Sequence, residues 1–291
     1  MKTLTPIATA LLLAASGAAL ADENTANVTQ NGEGNYAHSD QAGEGTYNNT
    51  IMQVQEGFFN EAYAEQYGAS DSYINQNQYG IMNEAASYQQ GGYENMTTVE
   101  QDGVYNSATT LQYYEAYSEI KVTQSLFGNH AYVQQALGEK NYASVDQEGF
   151  FNYAQIDQFL SWGSTARVKQ YGFGQDAHVE QTGKQQDINL TQRGFANDFQ
   201  SAQYGWGNDG YIVQAGMDNY AGLDQWGSHN EAVIHQDGYG NDAYTVQDGY
   251  FNVAKTRQYG DYNAAYVNQL GLQENAEVHQ YGAWNTAIVF Q

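Results

Sequence analysis

The sequence predicts an all-β fold: a two-sheet parallel β-solenoid of about 12 coils and 24 short strands. Three observations predict it. A seven-residue unit, Asn-x-Ala-x-Val-x-Gln, recurs without a missing copy from Asn24 to Gln291. Its first residue is Asn in 18 of the 24 copies, the exceptions being Ser72, Ser118, Ser164, Gln175, Gln186 and Glu274. The longer linkers between units all fall after even-numbered copies, so odd and even units belong to two different sheets.

Within a unit the alternation has period two, which makes it a strand with Asn, Ala, Val and Gln on one face. The Gln-x-Gly that follows supplies a turn in which glycine permits a left-handed backbone. Two strands and two turns close a coil of 22 or 23 residues, and each strand pairs with its counterpart one coil away. At ~4.8 Å per coil the stack reaches roughly 58 Å. Most linkers hold four residues; five follow Gln66, Gln89, Gln112, Gln135 and Gln158, and seven follow Gln41. At the third position the even units read Ala from Ala37 to Ala287, broken only by Phe199. The next odd unit carries Gly210 at that position, so Phe199 is expected to fill the space Gly210 leaves. The odd units carry Ile51, Ile74, Thr97 and Ile120 there, expected as bulky partners of facing alanines.

Stacked Asn and Gln columns can donate to the coil on one side and accept from the other, which removes the cost of burying an amide. The terminal ladder residues Gln30, Asn35, Gln41, Asn263, Gln269, Gln280, Asn285 and Gln291 are the candidates for contact with another chain. Met1-Lys2-Thr3, the apolar run from Ile7 to Ala15, and Ala19-Leu20-Ala21 form a secretory leader. Cleavage after Ala21 divides the chain into a signal peptide, 1–21, and a solenoid, 22–291.

Composition narrows the function. The chain has 33 Asp and Glu against 9 Lys and Arg, a net charge of −24, and no cysteine. Disulfides and thiolate metal sites are excluded, and so is a strongly basic nucleic-acid binder. Of six histidines, His235 and His279 share a column but lie two coils apart, about 10 Å, too far to hold one ion. No nucleophile elbow, Walker loop or His-Glu-x-x-His is present, so no catalytic residue and no cofactor is expected. Arg167, Lys169, Lys184 and Arg193 concentrate in coils seven and eight. They relieve acidic repulsion or gate assembly, with a docking patch as the alternative. Aromatics after the closing glutamines, such as Tyr67, Tyr171 and Trp226, suit edge stacking, or adhesion to surfaces.

The run Gln258-Tyr259-Gly260-Asp261-Tyr262-Asn263-Ala264-Ala265 to Gln269 matches Gln-x-Gly-x-x-Asn-x-Ala-x-x-x-Gln throughout. The chain resembles curlin-repeat proteins, the subunits of curli fibres, over essentially residues 24 to 291. The resemblance implies a structural subunit of functional amyloid in a Gram-negative biofilm matrix, secreted and extracellular. It implies a homopolymer, a curli-type nucleator, an outer-membrane secretion pore, and contact with host or matrix surfaces. A monomeric secreted adhesin and a minor nucleating subunit are the alternatives.

Overall fold

The computed structural model describes residues 23–291. The expected leader and its cleavage at Ala21 lie outside the described residues. The described residues wind into 24 strands, from β1 (Thr25–Glu33) and β2 (Tyr36–Ala42) to β23 (Asn275–Ala283) and β24 (Thr286–Phe290). Odd strands form one 12-stranded sheet and even strands the other, in strict sequence order. All pairings are parallel, and the column from Gln30 to Gln55 is in register. The expected two-sheet solenoid of 12 coils is the fold. Coil 1 holds β1 and β2, and so on to coil 12.

In-register stacking explains the turn glycines. A Cβ on Gly172 would lie 2.1 Å from the carbonyl oxygen of Gly194 in the next coil, and φ there is +129°. At Gly172 the chain passes too close to its own next coil for a side chain, and in this column Leu126, with φ of 77°, stands between Gly103 and Gly149 as the departure from glycine. A second left-handed residue in the turn need not be glycine: Phe59, Tyr105 and Phe151 all adopt φ of 55–59°.

The longer linkers do share one corner, where even strands pass to odd ones. Their extra residue makes a separate column of bridges through Tyr47, Ser70, Tyr93, Ala116, Glu139 and Trp162. The column ends where β12 (Tyr153–Trp162) pairs with β14 (Asp176–Lys184), and the register shifts between Gln158 and Ser161. Beyond that shift the ladder spacing drops from 23 residues to 22.

The two sheets face one another with strands running in opposite directions. Gln192 in β15 (Asp187–Phe195) donates from Nε2 to the Asp176 carbonyl at the start of β14, 2.7 Å away. Gln203 in β16 (Asp198–Trp206) reaches the Asp187 carbonyl at 3.2 Å. Third positions therefore meet fifth positions. Ile51 and Ile74 cluster with Ala64, the fifth residue of its unit, not with a third-position alanine. The expected pairing of Phe199 with Gly210 is corrected on the same ground. The atoms nearest a Cβ at Gly210 would be Ile188 Cδ1 (2.5 Å), Leu223 Cδ2 (2.6 Å) and Ile212 Cδ1. Phe199 is wholly buried, with small in-register neighbours, Ala177 and Ala221.

Candidate functional site

The closing glutamines build two continuous ladders, one per sheet, with a constant direction. Gln30 Nε2 donates to Gln55 Oε1 at 2.7 Å, and Gln41 Nε2 to Gln66 Oε1 at 2.8 Å. At the far end Gln258 Nε2 donates to Gln280 Oε1 at 2.8 Å, and Gln269 Nε2 to Gln291 Oε1 at 3.0 Å. The donor always belongs to the earlier coil. From Gln41 onward each Nε2 also satisfies a backbone carbonyl of the opposite sheet, as Gln280 does at Ala264 (2.9 Å) and Gln291 at Asn275 (3.1 Å). Glutamine is needed because only its longer amide spans both the coil step and the interior.

The opening asparagines run the other way. Asn60 donates from its backbone N and from Nδ2 to Asn35 Oδ1, at 3.0 and 3.2 Å. Asn285 does the same to Asn263 Oδ1 at 3.1 and 2.8 Å, and Asn263 in turn to Asn241. Here the donor belongs to the later coil. Most interior ladder residues are wholly buried, whereas Gln30, Asn35, Gln41 and Asn285 are half-exposed and Gln291 is exposed. Among the described residues, β1, β2, β23 and β24 each have one strand neighbour.

The outer faces carry the charge. Asp187, Asp209 and Glu231 stand in register on successive odd strands. Partial burial raises the Asp209 carboxyl above its ordinary range, and the charges of Asp187 and Glu231 add to the rise. Burial also raises Asp187, against the pull of Arg167 3.9 Å away. His235 and His279 do share a column, with Arg257 between them. Aromatic rings stack along the corners, as in the run Tyr105, Phe127, Phe151, Phe173 and Phe195.

The family model of the curlin associated repeat matches residues 163–194 and 216–249. Both segments lie in the stack just described; 216–249 holds three complete Asn-to-Gln units, and 163–194 holds three units that open with Ser164, Gln175 and Gln186. This chain carries curlin repeats. Curlin repeats define a structural family and not an enzyme family, and its members are extracellular. No curated protein matches the chain.

Two features of this curlin-repeat solenoid escaped sequence reasoning. In coils 1 to 4 a polar chain crosses the interior. Ser39 Oγ donates to Gln53 Oε1, Gln53 Nε2 to Gln76 Oε1, Gln76 Nε2 to Ser87 Oγ, and Thr110 Oγ1 to Ser87 Oγ, at 2.7–2.9 Å. Gln at a fifth position, where Val is usual, was the available signal. The second is Glu115, in the linker after Gln112, which is wholly buried. Its Oε2 accepts from Ser118 Oγ (2.7 Å) and Asn141 Nδ2 (3.1 Å), while Oε1 has no partner. The slot exists because Gly92 and Gly138 occupy its column in the adjacent coils. Burial raises its pKa to about 7 against the lowering effect of those hydrogen bonds and of the Gly138 backbone.

Proposed function

We propose that this protein is the structural subunit of an extracellular curli-like fibre, stacking head to tail for matrix formation and adhesion. The observation that carries the reading is the opposed direction of the two ladders. The last coil offers Gln280 and Gln291 amide donors together with the Asn285 Oδ1 acceptor. The first coil offers Gln30 and Gln41 Oε1 acceptors together with the amides of Asn24 and Asn35. Last coil on first coil therefore matches donor to acceptor in every column. Last on last would set Gln donors against Gln donors. A heterologous contact of this kind does not close, so it propagates as a filament. Leader cleavage after Ala21, passage through an outer-membrane pore and seeding by a nucleator belong to the same reading.

Electron microscopy of purified mature chain after a day at neutral pH tests it. Cross-β filaments are expected, and persistent single solenoids would favour a monomeric adhesin. Replacing Gln280, Asn285 and Gln291 with Ala should lengthen the lag phase more than the same change at Gln147, Asn152 and Gln158. Equal lags from both sets would remove the special role of the ends.

A further inference from the structure

The even-to-odd corner over coils 6 to 9 is an unbroken run of four turns free of acidic residues in this acidic molecule. Its turn segments 159–163, 182–185, 204–207 and 226–229 contain no Asp or Glu. They contain three of the four tryptophans. Trp162, Lys184 and Trp206 stand in register on β12, β14 and β16, so the three side chains form one column at successive coil steps. The Lys184 ammonium lies 5.8 Å from the centre of the Trp162 ring. Trp206 is held by its Nε1–H, which donates to Gln185 Oε1 at 2.6 Å. Both tryptophans are about half exposed, at 40% and 52%.

A second column runs beside the first, through Lys140, Gly163, Gln185 and Gly207. It is locked by backbone hydrogen bonds from Gln185 N to Trp162 O and from Gly207 N to Lys184 O, both 2.8 Å. A Cβ on Gly163 would touch only Gln185, at 3.8 Å, so the glycine leaves space beside the Trp162 ring. Together the columns line an open groove of about 370 Å³, which Glu139 and Lys140 also line. Those two residues pair with each other, so among the described residues lining the groove Lys184 is the cation outside an ion pair.

Exposed, pre-oriented indoles beside a single ammonium select a ligand with an apolar face and one negative charge per unit. We propose that this corner binds the uronic-acid residues of an acidic polysaccharide. A pyranose ring lies on the face of Trp206 or against Trp162, and its carboxylate pairs with Lys184. A nucleic acid fits less well. Its binding rests on neutralising many phosphates, and among the described residues lining the groove one unpaired ammonium, that of Lys184, stands on a chain of net charge −24. The proposal does not depend on fibre formation, since the groove lies within one chain.

The test is retention of the mature chain on immobilised polygalacturonate at low salt, beside its methyl ester, dextran and single-stranded oligo-dA. Binding to polygalacturonate alone is expected, weakening as salt rises. Lys184→Glu should reduce affinity about tenfold and Trp206→Ala about fivefold, magnitudes of roughly 1 kcal/mol each. Phe195→Ala, at the same height on the opposite corner, should change nothing. Far-UV circular dichroism confirms that each variant keeps its β structure, and Lys184→Met serves if Lys184→Glu does not. No retention of wild type, equal retention of the Lys184 variant, or equal binding of the methyl ester would overturn the proposal. Tighter binding of oligo-dA would replace it with a nucleic-acid site.

Discussion

Coils 2 to 4 and coils 5 to 7 share the same parallel stacking and the same 23-residue ladder spacing. Their interiors differ. At the fifth strand position the earlier coils carry Gln53, Ala64, Gln76, Ser87, Val99 and Thr110. The later ones carry Val122, Val133, Val145, Ile156, Val168 and Val179. All are buried in both sets. The polar set survives because its members are connected: each amide or hydroxyl in the Ser39–Gln53–Gln76–Ser87–Thr110 chain meets another. Lone polar residues further along do worse. Ser201 Oγ and Thr245 Oγ1 are buried without a partner, a cost of about 1–3 kcal/mol each. A narrow solenoid core therefore tolerates hydrocarbon or a complete hydrogen-bond chain, and is weakened by fragments of one.

The sharpest way to break this comparison is to place the early residue type in the late coils. Val145→Gln would bury an amide with no neighbour at its position able to pair with it, at a cost of about 4 kcal/mol. Hydrogen exchange of the amides in coils 5 to 7 reads the loss directly. A change below about 1 kcal/mol would mean that any position accepts an amide.

Glu115 lies at the boundary between the two regions and should show in pH dependence. Its carboxyl is raised from 4.5 to about 7 by burial. The groups facing it, Ser118, Asn141, Gly92, Gly138 and Ser161, carry no charge. Glu94, Glu139 and Lys140 on the neighbouring turns lie toward solvent, the last two as an ion pair. The folded state thus holds the proton more tightly than the unfolded one. The stabilising contribution is complete below pH 4.5, declines as pH rises, and is gone above about 7. Relative to Glu115→Gln, the wild-type chain should lose roughly 3 kcal/mol between pH 5 and pH 8. Parallel denaturant titrations of the two proteins check this, and parallel curves would place the carboxyl in water.

The smallest expected effect sharpens the facing of the sheets. Gly210→Leu should cost about 2 kcal/mol by overpacking. Leu223→Ala should relieve it, because Leu223 Cδ2 would lie 2.6 Å from the new Cβ. Rescue by Phe199→Ala instead, in a thermal-unfolding series, would restore the pairing expected from the sequence.

The comparison also bears on how much could be read in advance. The closing glutamines were legible throughout because each one is matched by the same residue one coil away. The polar chain was not, since Gln53 and Gln76 interrupt the pattern and look like lapses until Ser39 and Ser87 are seen across the interior. Glu115 reads as one more linker carboxylate. Its burial follows from Gly92 and Gly138 in other coils.

What the sequence determined by itself was the period, the division into two sheets, the corner holding the long linkers and the identity of the ladders. Parallel in-register stacking sets every residue against its own counterpart one coil away, so a one-dimensional repeat maps directly onto sheet columns. What only the tertiary structure decided was everything measured across the interior or along a direction. Third positions meet fifth positions because the sheets run oppositely, which no repeat length specifies. The Gln ladders point toward the last coil and the Asn ladders toward the first because each amide must also reach a backbone carbonyl, and the winding of the coils sets where that carbonyl lies.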